Sequence, residues 1–147
     1  MEPETLSQEQ VSFTLDESVE ILIVEDEKGH YLLTKIYLQK AGIVNNIVWF
    51  DSGDAVLDFL KAQGHRSNSG KKYIMLLDIR MPRVDGIEVL KVLKGDENLQ
   101  SIPIIMLTTS DDQQLARQCY DLGCDGHIIK PPGEVLLRAI QRVGEKL

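Results

Sequence analysis

A chain of 147 residues with 43% hydrophobic and 27% charged side chains has the size and composition of one globular domain, which excludes disorder as its default state. Its net charge of −7, from 23 acids against 16 bases, excludes nucleic-acid binding through a basic surface. No apolar run approaches the ~18 residues of a membrane span and no basic-then-apolar leader opens the chain, so the cytoplasm is the expected location and no membrane is an expected partner.

Residues 1–17 read as a polar, acidic tail, expected to be flexible; residues 1–27 together hold nine acids and no base. The first strand is "VEILIV" (19–24), an apolar run rich in β-branched residues, followed at helical spacing by Leu32, Leu33, Ile36 and Tyr37. The second is "IVNNIVWF" (43–50), with Val56, Phe59 and Leu60 on the helix after it. A polar loop, "GHRSNSGKK" (64–72), leads to the third strand "YIMLL" (73–77), and Ile87, Leu90 and Leu93 mark the third helix. "IPIIML" (102–107) precedes Leu115, Cys119 and Leu122, and "HII" (127–129) precedes Leu136, Ala139, Ile140, Val143 and Leu147.

The punctuation agrees with this division. Gly42, Gly64, Gly95 and Gly123 stand just past the first four helices, where a left-handed residue closes a helix without a Cβ penalty. Ser110 with Gln113 is the expected capping box of the fourth helix. Near-continuous apolar strands alternating with helices imply a parallel sheet covered on both faces, a single doubly wound α/β domain over residues 18–147 with no second or output domain in the sequence. Cys119 falls on an apolar helical face and Cys124 in a loop, without metal-ligand spacing, and no disulfide is expected.

In open sheets of this class ligands bind beyond the carboxyl ends of the strands. Past the first strand stand Glu25 and Asp26, past the third Asp78, at the end of the fourth Thr108 and Thr109, and past the fifth Lys130. If the first and third strands are neighbours, about 4.8 Å apart, three carboxylates share one pocket. Two unit charges at about 5 Å repel by roughly 3 kcal/mol at an effective dielectric near 20, so the cluster calls for a cation. Oxygen ligands without His or Cys select a hard divalent ion, Mg²⁺ first, with Lys130 as a further positive charge. Each feature alone has a plain structural reading: "EDE" (25–27) as a helix cap favoured by the dipole, Asp78 as a loop cap, Thr108 as a structural strand-end residue, Lys130 as a solvated turn residue. Four of them at one sheet edge point to a site.

With "ILIVEDE", "IMLLDIRMPRVDG", "IIMLTTS" and "HIIKPP" in this order and spacing, residues 19–147 resemble the receiver domain of two-component response regulators. "ILIVEDEKGHYLL" and "DENLQSIPIIMLTTSDDQ" are most similar to the small stand-alone regulators paired with phytochrome-type histidine kinases in cyanobacteria. The resemblance implies a flavodoxin-like (βα)5 fold, strand order 2-1-3-4-5. It implies a phosphoacceptor signalling protein rather than an enzyme acting on other substrates, one that catalyses its own phosphorylation and dephosphorylation. Asp78 would be the nucleophile that takes a phosphoryl group from a kinase phosphohistidine. Glu25, Asp26, Asp78 and the backbone carbonyl of Arg80 would hold Mg²⁺. Thr108 would hydrogen-bond the phosphoryl group and shift toward it, and Lys130 would pair first with Asp78 and then with a phosphate oxygen. A cis bond is expected before Pro131, while Met81-Pro82 and Asp85-Gly86 fit the loop into the third helix.

The same resemblance implies kinase docking on the first helix and the loops around Asp78. It further implies a homodimer through the fourth helix, fifth strand and fifth helix, and an unknown downstream protein partner. One position departs from the family: the switch residue three before the lysine is His127, where Tyr or Phe is usual. An imidazole can hydrogen-bond and titrate, which puts the readout in doubt, whereas a surface histidine at a strand start is the plain reading.

Three rivals remain to be weighed against this. A haloacid-dehalogenase-type phosphatase needs a second Asp where Arg80 stands, and an FMN binder needs a Ser/Thr/Gly-rich loop where "EDEKGH" stands. A receiver-like docking module that is never phosphorylated has no use for the complete set of Glu25, Asp26, Asp78, Thr108 and Lys130.

Overall fold

The computed structural model describes residues 15–64 and 71–147. Most of the acidic tail and residues 65–70 of the polar loop therefore lie outside the described residues. In chain order the elements are β1 (Val19–Val24), α1 (Lys28–Lys40), β2 (Ile47–Phe50), α2 (Gly53–Gly64), β3 (Lys72–Asp78), α3 (Gly86–Lys94), β4 (Ile104–Thr108), α4 (Gln113–Asp121), β5 (Gly126–Ile129) and α5 (Glu134–Gly144). The strands form one parallel sheet in the order β2-β1-β3-β4-β5, the flavodoxin-like arrangement.

The continuous apolar strands follow from burial on both faces, since alternate residues of each strand serve opposite cores. Leu22, Val24, Met75, Leu77 and Met106 pack beneath α2, α3 and α4, with Val56, Leu60, Leu90, Leu93 and Cys119. Ile21, Ile23, Ile74, Leu76, Ile105 and Leu107 pack beneath α1 and α5, with Leu38, Leu136, Ile140 and Val143. Both cysteines are buried and unbridged, and burial pushes the Cys124 thiol up to about 11. No helix among the described residues is long and apolar enough to cross a membrane.

Several local expectations are corrected. The second strand starts at Ile47 rather than at residue 43. Asn45 instead turns its side-chain amide back to the carbonyls of Asp16 and Val19, tying the turn to the start of β1. Residues 15–17, read as tail, belong to the fold: Leu15 packs on the second core, and a Cβ on Gly144 would meet its Cδ1 at 2.6 Å. The cap of α4 is Asp112, whose carboxylate accepts from Gln114 and Leu115 N–H, while Ser110 accepts from Asp112 N–H. A carboxylate at the helix N-terminus meets the orphan amides and the dipole together. Gly42 and Gly123 take positive φ as expected; Gly95 caps α3 in right-handed geometry and Gly64 is the last residue of α2.

The loop from β3 into α3 is held tightly. Asp85 and Glu88 form a reciprocal capping box, and Gly86 N–H donates to the Ile79 carbonyl at 2.8 Å. A Cβ on Gly86 would collide with the backbone of Asp78 and Ile79. Only glycine lets the helix start against the strand end this closely.

Candidate functional site

The carboxyl edge of the sheet collects the residues singled out in the sequence. β1 and β3 are adjacent, with Val24 paired to Leu77, so the residues just past β1 stand beside Asp78, the last residue of β3. Carboxylate oxygens of Glu25, Asp26 and Asp78 lie within 4.8 Å of one another. Glu25 and Asp78 are buried, at 3% and 6% exposure.

Glu25 is the most constrained of the three. Its N–H donates to the Phe50 carbonyl at 3.0 Å, and its own carbonyl accepts from the Trp49 indole at 2.8 Å. Its Oε2 accepts from Glu27 N–H at 3.2 Å and its Oε1 from the Lys130 ammonium at 2.5 Å. The capping reading of "EDE" falls on Glu27, which is the N-cap of α1 but makes no side-chain cap hydrogen bond.

Lys130 follows β5, and its N–H donates to the Thr108 carbonyl at 2.7 Å. The Lys130–Pro131 bond is cis. Its Nζ, on a side chain only 9% exposed, lies 3.3 Å from Asp78 Oδ1. The expected first partner was Asp78; the nearer one is Glu25, because the sheet sets both carboxylates around one ammonium. Thr108, 1% exposed, accepts from Ser110 N–H at its hydroxyl oxygen. Arg80 stands in the loop two residues past Asp78 with an exposed side chain.

The electrostatics are those of an acid cluster. Burial, and next the charge of Glu25, push the Asp78 carboxyl up to about 6 against the opposing pull of Lys130. Asp26 is also raised, by burial first and by its acidic neighbours. Three oxygen donors at this separation, two held above the usual carboxylate range, fit a hard divalent cation, which would relieve their repulsion.

His127 pairs with Met106 across β4 and β5, on the sheet face toward α4. It is not a simple surface residue: Nε2 is buried and has no hydrogen-bond partner among the described residues. Burial holds the imidazole below its ordinary range. His30, which the sequence reading passed over, lies with Nδ1 3.2 Å from Lys130 Nζ. Nothing in the sequence singles it out: it is the third residue of α1, and the lysine it meets is 100 residues away.

The comparisons with known proteins agree with this geometry. The response regulator receiver domain matches residues 21–141. The probable methanogenesis regulatory protein FilR2 of Methanothrix harundinacea is 36% identical over 126 residues, covering 85% of this chain and 81% of its own. Response regulator Rcp1 of Synechocystis is 34% identical over 110 residues, covering 75% of each, and has been solved in a Mn(2+)-bound form (TM-score 0.66, 30% identity, 84% and 90% covered). The bacteriophytochrome response regulator AtBRR superposes with a TM-score of 0.72 at 36% identity, covering 85% of this chain and 91% of its own.

Proposed function

The chain belongs to the response regulator receiver domain family, and from that premise we propose that it takes a phosphoryl group from a histidine kinase on Asp78. Phosphorylation-based signalling is the family's work; the acceptor residue, the ion and the partners are our reading. The observation that carries it is the meeting of three carboxylates within 4.8 Å with one buried ammonium 3.3 Å from Asp78.

Asp78 attacks phosphorus with a carboxylate oxygen, a P–O bond forms, and the bond to the donor nitrogen breaks with the electron pair leaving on that nitrogen. Carboxylate is a weak nucleophile, so the work is positioning and neutralisation. Lys130 offers a positive charge to the transferred oxygens, and Thr108 offers its hydroxyl from the end of the neighbouring strand. Glu25, Asp26, Asp78 and the Arg80 carbonyl would hold Mg²⁺, which supplies neutralisation of phosphoryl charge when bound. We take the donor to be a phytochrome-type kinase because relatives of this similarity include a bacteriophytochrome response regulator. It works in the cytoplasm, docks its kinase through α1 and the loops around Asp78, and signals by protein contact. Homodimerisation is assigned to α4, β5 and α5, where Tyr120, Ile129 and Val135 stand exposed. His127, which pairs with Met106 two residues before Thr108 on β4, is the switch residue behind that surface.

Intact-mass measurement after incubation with phosphoramidate is expected to show one added phosphoryl group with Mg²⁺ and none with EDTA. No gain in either condition, while a control receiver reacts, would assign the chain to the docking-module reading.

Mg²⁺ binding has its own reporter. Trp49 is the chain's one tryptophan; it hydrogen-bonds the Glu25 carbonyl and stacks on Tyr31 at 4.5 Å. Titrating Mg²⁺ into metal-free protein is expected to change its fluorescence saturably, and Asp26→Asn to weaken that binding by about tenfold or more. An unchanged midpoint in the variant would remove Asp26 from the ligand set.

A further inference from the structure

Resting on that reading, we infer that His30 is a positioning residue for Lys130, holding its ammonium in line with the phosphoryl position when Glu25 and Asp78 are otherwise engaged. An ammonium has three protons to place, and three side chains surround this one: Glu25 Oε1 at 2.5 Å, His30 Nδ1 at 3.2 Å and Asp78 Oδ1 at 3.3 Å. Two of these belong to the acid cluster. A metal draws on Glu25 and Asp78 alike, and phosphorylation removes one oxygen of Asp78 as a free acceptor. His30 is the acceptor that neither event claims.

The tautomer follows from the contact. Lysine ammonium has no lone pair, so Nδ1 accepts and the ring proton sits on Nε2. Glu27 Oε1, 3.9 Å from Nε2, favours that arrangement. A neutral acceptor aims the ammonium without competing in charge for it, leaving it free to turn to a phosphate oxygen. His30 is in the first turn of α1, its side chain 38% exposed, and Tyr31 beside it anchors that turn against Trp49. On the outer flank of Lys130 a pocket of about 170 Å³ is lined by Leu33, Thr34, Thr109, Pro131 and Pro132 together with His30. Without the imidazole, the ammonium has room to swing away from Asp78.

The test compares His30→Leu, which keeps bulk and loses the acceptor, with His30→Asn, whose side-chain oxygen can occupy the Nδ1 position. Phosphorylation rates are measured across phosphoramidate concentrations, with Mg²⁺ binding followed by Trp49 fluorescence. In His30→Leu the maximal rate is expected to fall about tenfold, with little change in the half-saturating donor concentration or in Mg²⁺ binding, and His30→Asn restores most of the rate. A wild-type rate in His30→Leu, an equally slow His30→Asn, or a slow rate that tracks weakened Mg²⁺ binding overturns the inference. A wild type that accepts no phosphoryl group at all instead brings down the proposed function, and this role with it.

Discussion

The Asp78→Asn variant is expected to take no phosphoryl group and yet, metal-free and near pH 7, to be more stable than the wild type by about 1–3 kcal/mol. The loss follows from removing the nucleophile. The gain follows from the environment that raises this carboxyl from 3.8 to about 6, burial first and the Glu25 charge second. Between those two values the folded protein keeps a proton that the unfolded chain has released, so stability falls as pH rises through that window and the whole penalty is present above it. An amide carries no charge to desolvate and none to repel Glu25. Urea unfolding at pH 7 in EDTA tests this, and no stability gain there would mean that Lys130 already neutralises the pocket. With Mg²⁺ present the variant should lose the advantage, because binding to the folded state alone stabilises the wild type more.

Lys130→Met is expected to act in the opposite direction. It strips two buried carboxylates, Glu25 and Asp78, of the ammonium that touches both. Removing one partner of a buried ion pair costs about 3–5 kcal/mol. The loss should be largest in metal-free protein near pH 7 and smaller at pH 5, where the Asp78 carboxyl, raised to about 6, takes up a proton instead. Phosphorylation should slow by roughly 100-fold or more, the scale seen when one charge-stabilising donor is removed. Unfolding curves at the two pH values with and without Mg²⁺, and rates with phosphoramidate, check both parts. Equal destabilisation at pH 5 and pH 7 would show that packing of the lysine stem, not its charge, accounts for the loss.

The fold was legible because the strands carry their signal locally. "VEILIV" became β1 residue for residue, and β3, β4 and β5 shifted by one or two residues at their ends. β2 was read too long since Ile43 and Val44 look like strand, whereas the Asn45 side chain commits that stretch to a turn. The cap of α4 was misplaced because "TTSDD" offers several oxygen side chains, and only the chain path selects Asp112. Of the site, Glu25, Asp26, Asp78 and Lys130 could be gathered by one rule about strand ends. His30 could not, since its partner is 100 residues away and nothing local marks a helix histidine as facing a lysine. The Nε2 of His127, buried and without a partner among the described residues, is equally a product of packing and invisible in the sequence.

The contact between Leu15 and Gly144 bears on how this domain can be attached to other things. β1 carries the chain from Leu15's edge of the sheet to the acid cluster over six residues, about 20 Å, and α5 returns it over eleven, about 16 Å. The chain thus enters and leaves the fold through neighbouring doors on the side away from the chemistry. A label set at either of these two points of the fold stands a sheet's length from Asp78. Leu15 and the end of α5 are near enough for a short linker to join them, with residues 1–14 left out, without redrawing the pocket.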